Sequence, residues 1–240
     1  MYRSRATQLV LASAALVTAV GFGVVATPGS TASTAPASGA TTESRRGDPD
    51  AYKINRLYGD HGPRVGWAHC RRINFRVNYA HAPQRSRWHV REAIHRLERA
   101  TGMHFRYMGR TSARPNPHGR GYPRSTKLVI GWDGPRSKWL PKGVAGVGGW
   151  SAHGDGSIAT GFVIVNYRIK MAPGFGRGPR QGVQGTRGQV LMHELGHTVG
   201  LGHVQARAQI MYQTATRKLA TWGAGDWHGL RRQGRRAGCL

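Results

Sequence analysis

The run His193-Glu194-Leu195-Gly196-His197-Thr198-Val199-Gly200-Leu201-Gly202-His203 places three imidazoles and one carboxylate in the pattern H-E-x-x-H-x-x-G-x-x-H. That spacing suits a catalytic zinc ion. Residues four apart lie on one helix face, so His193 and His197 can offer two nitrogens to the same metal. Gly200 suits a sharp exit from the helix, because glycine tolerates backbone angles closed to other residues. The exit would bring His203 back as the third ligand. Three protein ligands leave a fourth position open, the arrangement of a catalytic rather than a structural zinc. Glu194 sits beside the first ligand without being one. It is the only acidic residue between Asp155 and Asp226, so its place is hard to assign to a generic charged helix face.

These residues resemble the metzincin family of zinc endopeptidases and, within it, matrixin-like secreted peptidases of actinobacterial type. The resemblance implies an α+β, zincin-type catalytic domain: a twisted mixed sheet, an active-site helix and a small C-terminal subdomain after His203. It implies a Met-turn under the metal, for which Gln209-Ile210-Met211-Tyr212 stands at a plausible distance, with Met211 as packing support and not a ligand. Further similarity lies in Ile73-Asn74-Phe75-Arg76-Val77-Asn78-Tyr79, like the first core strand, and in Gly225-Asp226-Trp227-His228-Gly229-Leu230, like the start of a closing helix. Val204 stands where matrixins usually carry serine, and Gln213 where proline is common. No substrate preference is therefore carried over.

The elements needed to position the motif can be read from periodicity. Ile73, Phe75, Val77 and Tyr79 alternate with polar residues, as in a half-buried strand. From Ser86 the period becomes helical through Val90, Ile94, Leu97 and Ala100, with Gly102 placed to end the helix. Phe105 and Tyr107 suggest a second strand, and 127–132 and 162–167 two more. The motif helix is expected from about Thr186 to Val199, and a last helix near Asp226 as its N-cap. In 143–149, Val144, Ala145, Gly146 and Val147 are candidates for the edge strand that, in matrixin-like enzymes, pairs with the substrate backbone. A glycine-rich connecting loop is the alternative. The stretch from Gly174 to Gly188 reads as a flexible surface loop, and it lacks the G-K-[ST] ending of a phosphate-binding loop.

The amino terminus reads as an export signal over 1–26. Arg3 and Arg5 precede an uncharged apolar run from Leu9 to Ala26, with Val24-Val25-Ala26 at a cleavage point. Left uncleaved, the run would tether the protein to the membrane, and in either case the catalytic part is expected outside the cell. Residues 27–51 form a Ser/Thr/Pro/Ala-rich spacer, read as disordered, and 52–240 one catalytic domain. In an exported chain the pair Cys70 and Cys239 most simply makes a disulfide. The alternative is a cysteine switch over the zinc, but Trp67-Ala68-His69-Cys70-Arg71 does not match the propeptide motif matrixins use.

The chain of 240 residues carries 36 Lys+Arg against 10 Asp+Glu, a formal net charge of +26. Such a surface attracts polyanions by long-range, salt-sensitive forces. Outside a cell these are anionic wall polymers, lipid head groups or extracellular DNA. The basic residues are dispersed and no DNA-reading motif is present, so sequence-specific nucleic-acid binding is not expected. Calcium is not expected either, because hard oxygen sites need several carboxylates. His153-Gly154-Asp155 is read as a solvated loop in preference to a second, structural zinc site. The expectation is a monomeric, zinc-dependent endopeptidase acting on protein or peptide, with Glu194 as general base. Two alternatives stand beside it: a basic polyanion- or wall-binding protein with an inactive or structural metal site, and a zinc hydrolase of wall peptides.

Overall fold

The computed structural model describes residues 46–68, 71–134, 136–181 and 185–234. The export signal, most of the spacer and both cysteines of the expected disulfide lie outside these residues. In chain order the elements are β1 (Lys53–Ile54), β2 (Ile73–Asn78), α1 (Ser86–Thr101), β3 (Phe105–Arg110), β4 (Leu128–Asp133), β5 (Gly146–Ala152), β6 (Ile158–Asn166), α2 (Arg187–Thr198), β7 (Leu201–Gly202) and α3 (Ala224–Gln233). Five strands form one mixed sheet in the order β3-β2-β4-β6-β5. The first four run parallel, and β5 runs antiparallel to β6 at the edge. Helices and strands thus mix around one sheet, as expected. Among the described residues no helix is long and apolar enough to cross a membrane.

The parallel arrangement explains the burial. β4 is buried along almost its whole length, Leu128-Val129-Ile130-Gly131-Trp132, as a central strand covered on both faces must be. Val90, Ala93, Ile94, Leu97 and Ala100 turn the apolar stripe of α1 into the core, and Gly102 ends the helix in the left-handed region (φ 76°). Thr186 caps α2 by accepting from the Gln189 N–H at 3.2 Å, one residue before the helix begins. α2 is buried along both sides because the sheet, α1 and the C-terminal segment all pack on it.

Three features differ from the sequence reading. Asp226 is not the N-cap of α3: Gly223 is, and Asp226 lies three residues into the motif with its side chain turned back on the Gly223 N–H at 2.9 Å. The 174–188 stretch is not a free loop throughout. Phe175 is buried, the Gly174 N–H donates to His89 Nε2 at 2.8 Å, and Arg187-Gly188 already belong to α2. Finally, Arg46–Ala51, read as the end of the spacer, lie against the domain, with Arg46 C=O accepting from the Ala224 N–H at 2.9 Å.

β5 is an edge strand and not a loop. Gly146 and Val147 are in it, while Val144 and Ala145 precede it with their carbonyls taken by Asn166, from Nδ2 and N respectively, both at 2.9 Å. The strand lies so close to α2 that a Cβ on Gly148 would run into the Glu194 backbone carbonyl. Gly148→Ala should therefore push β5 away from α2 and cost about 1–3 kcal/mol, as overpacking does, read as a lower midpoint in urea unfolding. An unchanged midpoint would show that the close packing of β5 on α2 is dispensable.

Candidate metal centre

The helix, the turn after it and the segment beyond bring His193, His197 and His203 to one point. The three Nε2 atoms are 3.1 Å (His193 to His203), 3.1 Å (His197 to His193) and 3.2 Å (His197 to His203) apart. His193 and His197 are buried and His203 is half-buried. Gly200, at φ +92°, makes the turn between them, and a side chain there would strike the Val65 carbonyl and the Gln233 amide. β7 follows at once, pairs with β1, and delivers His203 beside the other two.

The protonation of the rings follows from their other nitrogens. His193 Nδ1 lies 2.7 Å from the Ile210 carbonyl and His197 Nδ1 2.8 Å from the Leu201 carbonyl. A carbonyl only accepts, so each Nδ1 carries the hydrogen and each Nε2 presents a lone pair. Burial keeps the rings neutral: His193 is pushed down to about 4, His197 well below the usual imidazole value, and His203 is lowered as well. Lone pairs facing one another at 3.1–3.2 Å repel unless a cation lies between them. Tetrahedral zinc with nitrogens at roughly 2.0–2.1 Å needs neighbours about 3.3 Å apart, close to the observed triangle. The residues present fit the metal.

Glu194 lies one step round the helix and is fully buried. A Cβ on Gly146 would press on its carboxylate, which places that group under β5. Neither oxygen accepts a hydrogen bond of ordinary geometry from the protein. Burial holds its pKa well above the carboxylate range, and the Gly148 amide offsets this only in part. The group is thus a strong base when ionised.

Met211 lies beneath the ligands, its sulfur where a Cβ on Gly196 would otherwise stand. The turn that carries it is held by Asp226, whose carboxylate accepts from the Ile210 N–H at 2.5 Å, the Met211 N–H at 3.1 Å and the Gly223 N–H at 2.9 Å. Burial pushes Asp226 up to about 6 against the pull of these three donors, which leaves it ionised at neutral pH. Asp226 therefore fixes Ile210, and Ile210 fixes His193. The sequence reading gave Asp226 only a capping role. Its distance from the motif hides the link, although the scarcity of acids in this chain was a usable signal.

Two predictions follow from this geometry. Asp226→Asn turns an amide donor toward backbone donors and should cost about 2–4 kcal/mol in urea unfolding, together with weaker zinc retention in equilibrium dialysis. Full zinc retention would show that the Met-turn holds Ile210 without it. The second concerns pH in the metal-free protein. The folded pKa of Glu194 is raised, so folding binds its proton, and its cost to stability is absent below the unfolded value and grows as pH rises above it. Glu194→Gln should match the parent in thermal stability near pH 4.5 and exceed it increasingly toward pH 8. Parallel curves would contradict a carboxylate whose burial outweighs its one amide contact.

The family model of matrixin, Peptidase_M10, matches residues 168–230, about a quarter of the chain, from the end of β6 to the middle of α3. No curated protein matches the chain. The matched segment holds all three histidines, Glu194, Gly200, Met211 and Asp226. The mixed five-stranded sheet with its helices fits a metzincin-like domain. The matrixin match and the three-histidine cluster together support a zinc metallopeptidase of metzincin type.

Proposed function

We propose that the protein is an exported endopeptidase in which His193, His197 and His203 hold one catalytic zinc ion and Glu194 is the general base. The observation that carries this is the meeting of three buried or half-buried imidazole Nε2 atoms, 3.1–3.2 Å apart, with a fully buried carboxylate touched only by the Gly148 amide of β5. Structural carboxylates in this fold are satisfied, as Asp226 is by three backbone amides. Glu194 has only the Gly148 amide beside it, which leaves its carboxylate available for proton transfer.

Zinc bound by the three histidines supplies Lewis acidity, which polarises the scissile carbonyl and brings the pKa of a water to about 7. The rest is done by the chain. Among the described residues β5, beginning at Gly146-Val147, pairs only with β6 in the sheet, so an extended peptide can add along its outer edge as a further strand. Glu194, beneath that edge, takes a proton from the attacking water and delivers it to the leaving amine. Its raised pKa makes it a capable donor in the second step. The Nδ1–carbonyl bonds keep His193 and His197 oriented throughout. The residues read as the export signal, Met1–Ala26, and the basic surface suit work outside the cell, against protein or wall peptide.

Glu194→Ala should keep its zinc and lose about 10²–10⁴-fold in casein hydrolysis, and a chelator should abolish the parent's activity until zinc is restored. Zinc content and turnover of parent and variant, on casein and on purified peptidoglycan, check both statements. Equal turnover in Glu194→Ala would sink the mechanism. Zinc without turnover on either substrate in the parent would favour the polyanion-binding alternative.

A further inference from the structure

A cavity of about 400 Å³ opens on the side of the molecule where α1 meets the start of α3. It uses none of the three histidines and not Glu194. Arg46, His95, Arg96, Arg99 and Lys218 converge on it from the N-terminal segment, α1 and the segment before α3. Glu92 is the one acid in its lining, and it is already engaged by Arg96 at 2.7 Å. Arg96 is itself committed: it donates to the Ala220 carbonyl at 2.6 Å and lies over the Phe175 ring at 4.3 Å. Lys218 Nζ donates to the Arg207 carbonyl at 3.3 Å, a neutral group that leaves its charge uncompensated, so Arg46, Arg99 and Lys218 bring three positive charges to a concave lining with no further acid in it. The floor is apolar and fixed. Met192 is buried there, and Trp222 is held by its indole N–H on the Arg96 carbonyl at 3.2 Å.

We infer that this cavity is a binding site for an anion that carries several phosphates close together, such as a short segment of a phosphate polymer. A lone carboxylate would be met by one guanidinium, whereas several cations lining one cavity suit an anion with several charges of its own. The volume falls in the range of small-ligand sites, and the Trp222 and Leu219 walls can cover the apolar links between phosphates. The site is independent of the peptidase reading. It would hold the protein on an anionic matrix while the metal centre stays open.

The test uses the full chain and sodium tripolyphosphate as probe, by calorimetric titration at about 0.15 M salt, where diffuse attraction is largely screened. The parent should bind one equivalent saturably. Arg99→Ala/Lys218→Ala should weaken binding about tenfold or more, as should Lys218→Ala alone to a smaller degree. The control pair Arg72→Ala/Arg106→Ala, exposed residues on β3 and just before β2, removes the same charge and should bind as the parent does. Casein turnover should be the same in all four proteins, which separates failure of this site from failure of the metal centre. Absence of saturable binding, or equal loss in the control pair, overturns the proposal. Binding to vesicles of phosphatidylglycerol without binding of tripolyphosphate overturns it in favour of a lipid surface.

Discussion

The Nδ1 hydrogens of His193 and His197 are taken by two backbone carbonyls, Ile210 and Leu201, and most of the structure around the metal centre serves to put those oxygens in place. The bonds fix the tautomer and the plane of each ring, so that two Nε2 lone pairs point to the place where His203 Nε2 also lies. Leu201 is placed by the turn at Gly200, where the chain reverses within two residues of the end of α2. Ile210 is placed by Asp226, which grips the turn at 210–211 from the first turn of α3. The two ligands on α2 thus depend on carbonyls supplied by the segments that follow the helix.

This dependence accounts for the layout of the fold. The parallel core of β3, β2, β4 and β6 provides a rigid, covered layer on which α2 rests with little freedom. β5 reverses direction at the edge and lies directly on α2, with glycines where side chains would collide with Glu194. The same closeness that buries the carboxylate leaves the outer edge of β5 over the reactive groups. Burial then does two things at once. It keeps the imidazoles neutral, as metal ligands must be, and it makes Glu194 a stronger base than a carboxylate in water.

Much of this was legible in the sequence, and the division is physical. Local pattern carried the motif helix, α1 with its Gly102 stop, β2 by its alternation, and β4 and β6 as compact apolar runs, because each rests on residues a few positions apart, whereas β5 rested on the family resemblance with a glycine-rich loop as its alternative. The turn at Gly200 was legible because the spacing to His203 demands one. The sequence suggests Asp226 as an N-cap and not its place three residues further in, because two of its partners, Ile210 and Met211, lie some fifteen residues back and are joined to it only by tertiary folding. The anchoring of Gly174–Phe175 to His89 is hidden for the same reason: a glycine-rich stretch gives no sign of a contact 85 residues away. The basic cavity is of this kind too, since arginines scattered along the chain do not reveal that three elements bring several of them together.

The account rests on three imidazole nitrogens and an open fourth position, and the coordination of zinc in the purified protein reads this directly. Zinc K-edge absorption should give three imidazole nitrogens and one light-atom ligand from solvent, all at roughly 2.0–2.1 Å. A sulfur at about 2.3 Å would mean a cysteine closes the site. A fourth protein ligand of any kind, or no zinc in the protein, would contradict a catalytic centre built on His193, His197 and His203.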